Sequence, residues 1–238
     1  MTLAENKLEV FTNDFPRMCG GDPLPLFSSD KKHLRIVKFY PEVLFLFNYD
    51  IYKEARDKSW QFLLENNVSS LPLPLSSICR NNGFILMLDT KGSYLTYSDK
   101  GVTFKTPEGK FCILLNPADP VPVRRYTTAH EFGHIYLNHP MYDGRYGRTF
   151  GIQKTATQVP IEYQAERFAI GILAPACVLY GLGVHTAEDI AKVCGISLSA
   201  ARIRAERLAV LYQRKSFFCS PLERKVFELF EDFIKANR

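Results

Sequence analysis

The chain changes period at Arg124, and that change limits what it can become. Upstream, short runs rich in β-branched and aromatic residues ("FILMLD", "SYLTYS", "GVTFKT", "KFCILLN") are separated by Gly and Lys turns and predict a small sheet. Downstream, "YTTAHEFGHIYLNHP" (126–140) places Tyr126, Ala129, Phe132 or Gly133, and Leu137 on one stripe of a helix that Pro140 stops. A sheet followed by helices is an α+β arrangement. The helix also carries two of the chain's five histidines, one turn apart around a glutamate.

On a helix, residues four apart lie above one another, so His130 and His134 can direct imidazole nitrogens to one point about 2.0–2.1 Å from each, as zinc requires. Glu131 stands about 100° around the same helix. From there it can take a proton from water at the metal without being a ligand. Gly133 costs a helix about 1 kcal/mol relative to Ala. Close approach by another backbone or by a substrate accounts for it.

A catalytic zinc takes three protein ligands and keeps one position open. The next helical pattern, "PIEYQAERFAIGIL", offers Ile161, Ala165, Phe168, Ala169, Ile172 and Leu173 as a buried stripe, with Glu162 and Glu166 on the same side. Buried carboxylates need a compensating charge, and a metal or an imidazole already bound to one would supply it. The alternative is an exposed helix edge with Arg167 as counter-charge. His139, extrapolated along the helix, lies about 140° from His134 and reads as a helix-end histidine. Tyr126, Tyr142, Tyr146 and His185 are weaker candidates to stabilise an oxyanion.

"RRYTTAHEFGH" followed by "EYQAERFAIGILAP" resembles the ImmA/IrrE family of zinc metallopeptidases. That family pairs an HExxH helix, preceded by an arginine and an aromatic, with a helix of the form ExxA(N/D)xFAxxLLxP. The resemblance implies a zincin-like fold, Zn2+ as cofactor, His130, His134 and Glu162 as ligands, and Glu131 as general base. Glu166 falls where the family has Asn or Asp, and a supporting role behind the ligands is expected of it. The implied substrate is a specific regulatory protein, such as a helix-turn-helix repressor or antitoxin. The rival reading is a binding module that keeps the fold and regulates a repressor or DNA without hydrolysis.

Residues 1–50 carry no motif, 51–180 are expected to form the zincin-like domain, and 181–238 a helical C-terminal segment. Within the last, "TAEDIAKVCGISLSAARIRAERLAVL" (186–211) spaces Ala191, Gly195 and Ser197 as in a helix-turn-helix. Arg202, Arg204 and Arg207 there are candidate contacts to DNA phosphates or a partner, with a solvated face the preferred reading because Glu188 and Glu206 share the segment. The glycines and cations between Met141 and Val159 (Gly144, Gly147, Gly151, Arg145, Arg148, Lys154) predict an open loop, placed to act as a basic lid.

The remaining features exclude more than they name. The N-terminus lacks a basic start with an apolar core, and the longest apolar run, "VLFLF", is too short to span a bilayer, so no membrane partner and a cytoplasmic location are expected. The six cysteines show no CxxC spacing and read as reduced packing residues. A net charge of +5 identifies no partner by itself.

Overall fold

The computed structural model describes residues 41–141, 144–149 and 158–238. Among them the order is α1 (Pro41–Glu65), α2 (Leu75–Asn81), β1 (Ile85–Leu88), β2 (Asp99–Lys105), β3 (Phe111–Leu115), α3 (Val121–Tyr136), β4 (Arg145–Thr149), α4 (Gln158–Leu173), α5 (Ala176–Leu182), α6 (Ala187–Cys194), α7 (Leu198–Arg214), α8 (Pro221–Leu229) and α9 (Glu231–Asn237). The fold is α+β and zincin-like: one small mixed sheet, order β1-β3-β2-β4, with helices packed against it. β1 runs parallel to β3, whereas β2 is antiparallel to both β3 and β4.

α3 is the central element. It packs on β2, β3 and β4 on one side and on α4 and α1 on the other. Every residue from Thr127 to Ile135 is consequently buried. Polar side chains survive there by local bonding: Thr127 Oγ1 donates to the Val123 carbonyl at 3.1 Å and Thr128 Oγ1 to that of Arg124 at 2.9 Å. The sheet presses close at Gly101, where a β-carbon would stand 2.8 Å from Thr127 Cγ2, and β2 carries its bulge at that point. Phe62, Phe132, Phe168, Leu63, Ile172, Leu173 and Leu179 fill the core where α1, α3, α4 and α5 meet.

Three local expectations change. "SYLTYS" is not a strand, because the Asp89 carboxylate accepts the backbone N–H groups of Ser93, Tyr94 and Leu95 (3.1, 3.0 and 2.8 Å) and holds the chain in a turn. The stretch "LRIVKFYPEVLFLF" reads as a strand interrupted by Pro41, yet Pro41 opens α1, where proline's missing N–H costs nothing. The segment 141–159 is not wholly an open loop, since Arg145–Thr149 forms the edge strand β4; residues 142, 143 and 150–157 lie outside the described residues, as do 1–40.

Pro160–Leu182, α4 continuing into α5, is long and apolar enough by composition to cross a bilayer, yet 67% of its most apolar window is buried in the fold. Core packing therefore accounts for its hydropathy. Cys79, Cys112, Cys177 and Cys194 are buried free thiols, and burial pushes those of Cys79 and Cys194 up to about 12, which keeps them protonated and unreactive. Cys219 is half-buried, its Sγ donating to the Phe217 carbonyl at 3.7 Å, and Cys19 lies outside the described residues.

The helix-turn-helix shape is present. Thr186 caps α6 by accepting from Asp189 N, Gly195 ends it in the left-handed region (φ 63°), and Ser197 caps α7 by accepting from Ala200 N. Its turn is fastened to α3: Arg125 Nε donates to the Gly195 carbonyl at 3.1 Å, and Arg125 Nη2 to that of Leu73 at 3.0 Å. Arg204 points inward, with Nε donating to the Ala174 carbonyl at 2.8 Å, and it is buried. That removes Arg204 from the expected surface trio, leaving Arg202 exposed and Arg207 half-buried.

Candidate metal centre

Pro120 precedes α3 and Pro122 lies in its first turn, so the helix starts without an orphaned N–H at either position. The helix presents His130 and His134 one turn apart on the face toward α4. Their Nε2 atoms are 3.0 Å apart. α4 brings Glu162 to the same point, with Oε2 3.4 Å from His130 Nε2 and Oε1 3.5 Å from His134 Nε2. Among the described residues these three form the group whose donor atoms could hold a metal ion.

The helices meet so closely because of Gly133. A β-carbon there would lie 2.8 Å from Ala165 Cα and 2.9 Å from its carbonyl oxygen. The close approach anticipated from sequence is thus by backbone, that of α4, and Ala165 is small enough to allow it. Gly133, the fourth residue of the HExxH motif, and Ala165, three residues after Glu162, together set the distance between the two helices that carry the candidate ligands.

The donor set fits zinc. Ligand atoms about 2.0–2.2 Å from a tetrahedral ion lie about 3.3–3.6 Å from one another; the two edges to Glu162, 3.4 and 3.5 Å, fall in that range, and the edge between the histidines is shorter at 3.0 Å. Two imidazole nitrogens and one carboxylate are a catalytic type of zinc set, with a fourth position left for water or substrate. His130 is fully buried, His134 is 3% exposed, and the Glu162 side chain is 15% exposed, so the triangle opens to solvent on the α4 side. Glu131, between the histidines in sequence, is fully buried.

Glu166 is half-buried and makes no hydrogen bond or ion pair among the described residues, so the support expected of it behind a histidine is not seen. That position behind His134 is taken by His139. α3 ends at Tyr136, Asn138 adopts a left-handed backbone (φ 52°), and the chain folds back so that His139 N donates to the His134 carbonyl at 3.0 Å. The helical extrapolation of 140° fails because His139 is no longer on the helix. His139 Nδ1 lies 3.0 Å from His134 Nδ1, and its Nε2 lies 3.1 Å from Gln164 Oε1. Gln164 Nε2 in turn donates to Glu54 Oε2 at 3.0 Å. Burial holds the His139 imidazole below the usual histidine value, against the opposing pull of the Gln164 hydrogen bond and the nearby Glu162 charge. Asparagine just past the last helical residue was the sequence signal for this reversal.

Of the oxyanion candidates, Tyr126 packs against the core and His185 against the Tyr212 ring at 4.9 Å, while Tyr142 lies outside the described residues and the structure describes only the backbone of Tyr146. Arg167, the alternative counter-charge for the α4 carboxylates, instead stacks over Tyr163 (4.6 Å) and Tyr52 (5.5 Å).

No curated protein matches the chain. Residues 89–206, about half of the 238, match the family model described as Peptidase_M78, IrrE N-terminal-like domain.

Proposed function

The chain belongs to this family of IrrE N-terminal-like peptidases, whose membership supports a metallopeptidase-type function, and from that premise we propose that it is a zinc metalloendopeptidase cleaving a specific regulatory protein inside the cell. The observation that carries the reading is the His130, His134, Glu162 triangle at tetrahedral spacing, with a buried glutamate beside it.

Zinc held by these three residues would supply Lewis acidity, making water a stronger nucleophile and a scissile carbonyl a better electrophile. The chain's own residues do the rest. Glu131 accepts the proton of the attacking water on a carboxylate oxygen and returns it to the leaving amine, and its burial keeps bulk water from short-circuiting that exchange. Gly133 and Ala165 hold the two ligand helices at contact distance. β4, the sheet edge that packs on α3, offers backbone groups with which an extended substrate segment can pair.

The narrow opening favours a selective enzyme. Of the three ligand side chains the most accessible is only 15% exposed, so a substrate must present a strand shaped to reach it. The substrate class we propose is a helix-turn-helix repressor or antitoxin, and DNA is not favoured as a partner because Arg204, the middle cation of the α7 run, is used inside the fold. The free, buried cysteines accord with a reducing compartment.

The test is to incubate zinc-loaded wild type and Glu131→Gln with casein and with helix-turn-helix repressors from the same genome, and to map products by mass spectrometry. Cleavage of one repressor at one or a few sites by wild type alone is expected. Digestion of casein with every repressor intact would refute the regulatory role, and an equally active Glu131→Gln would refute the assigned base.

A further inference from the structure

Behind the metal-facing edge of His134 runs a chain of hydrogen bonds that ends on the surface of α1, and its direction can be worked out link by link. The exposed Glu54 carboxylate can only accept. Gln164 must therefore turn its NH2 toward Glu54, at 3.0 Å, which leaves Oε1 facing His139. An amide oxygen also only accepts, so the proton of the 3.1 Å bond sits on His139 Nε2. A neutral imidazole with its proton on Nε2 has a lone pair on Nδ1. Across the 3.0 Å contact the donor must then be His134 Nδ1, and His134 Nε2 carries its lone pair toward the triangle.

Resting on the zinc reading above, we propose that His139 is a positioning residue for the metal centre: by accepting from His134 Nδ1 it commits His134 Nε2 to the ligand role, with Gln164 and Glu54 fixing the direction. Each of the four residues comes from a different place in the fold: α1 (Glu54), α4 (Gln164), the reversal after α3 (His139) and α3 itself (His134). The chain thus orients one ligand ring while tying together the helices that carry the ligands. Remove His139 and His134 is free to place its proton on Nε2, where it blocks the ion.

The measurement is the zinc affinity of the full chain, by competition with a chromogenic chelator. His139→Ala should weaken binding about 10- to 100-fold, the usual effect of losing such a partner. In His139→Asn the side-chain oxygen stands where Nδ1 stood and can accept from His134, so most of the affinity should return even though the link to Gln164 is cut. A residue needed only for packing would gain nothing from that replacement. Gln164→Leu leaves His139 in place without its direction and should cost a smaller amount, about 3- to 10-fold. His139→Ala within about twofold of wild type, or His139→Asn as weak as His139→Ala, overturns the proposal. Should His139→Ala fail to fold, Gln164→Leu decides: unchanged affinity overturns the proposal as well. The underlying reading fails separately, through His134→Ala, which must abolish zinc binding; retention of zinc there would show that the triangle is not the site.

Discussion

Adding one methyl group at Gly133 tests the spacing on which the centre depends. The β-carbon of Gly133→Ala would stand 2.8 Å from Ala165 Cα and 2.9 Å from its carbonyl oxygen, whereas ordinary contact begins near about 3.5 Å. Both obstructing atoms are backbone, so α3 and α4 must part by about 0.6 Å. Alanine improves the helix by about 1 kcal/mol, and overpacking costs about 1–3 kcal/mol. Metal-free stability should therefore fall by no more than about 2 kcal/mol. The metal site is hit harder, because the same separation stretches the histidine-to-Glu162 edges from 3.4 and 3.5 Å to about 4 Å, outside the tetrahedral range. A half-ångström misfit should weaken zinc at least about tenfold, which removes about 1.4 kcal/mol of zinc-dependent stabilisation. Urea unfolding with and without excess zinc separates the two effects. A Gly133→Ala protein about 1 kcal/mol more stable than wild type, with its zinc increment intact, would show that the helices are not in contact there.

Two further outcomes follow from the same geometry. Glu162→Ala should reduce zinc affinity far more than Glu166→Ala, because Glu162 alone of the two lies within 3.5 Å of both imidazoles; chelator competition gives the order, and the reverse order would exchange the residues. Arg204→Ala should destabilise by about 1.5–3 kcal/mol through loss of a charged hydrogen bond to Ala174, whereas Arg202→Ala should stay within about 0.5 kcal/mol, as read from urea midpoints.

What sequence disclosed was whatever follows from strict period. The helical spacing of His130 and His134 survives intact because α3 is regular through Tyr136, and the β runs of "FILMLD", "GVTFKT" and "KFCILLN" form strands because nothing local competes with the ladder. "SYLTYS" looks like alternation too, but a single aspartate upstream offers its N–H groups a better acceptor, and side-chain competition of that sort leaves no periodic trace. His139 stands at the helix end and outside the triangle as expected, but its contact with His134 was hidden for a related reason: angular arithmetic applies only while the helix lasts, and the left-handed Asn138 turns the chain back. Glu162, the candidate third ligand, stood in the sequence beside Glu166 and was singled out by the family resemblance. The helix pattern could not choose between them; the rotation of α4 against α3, imposed by the Gly133–Ala165 contact, brings one to the triangle and leaves the other aside.

Arg125 gives the order of assembly a direction. Its guanidinium closes on carbonyls from Leu73, which precedes α3 in the chain, and from Gly195, which leaves the ribosome after Glu162. During synthesis His130, His134 and Glu162 therefore all exist before this second bond of the histidine-bearing helix can form. A nascent chain in that interval has α3 packed on the sheet but held by only one of its two Arg125 bonds, and the helix should settle fully only once the α6–α7 turn docks.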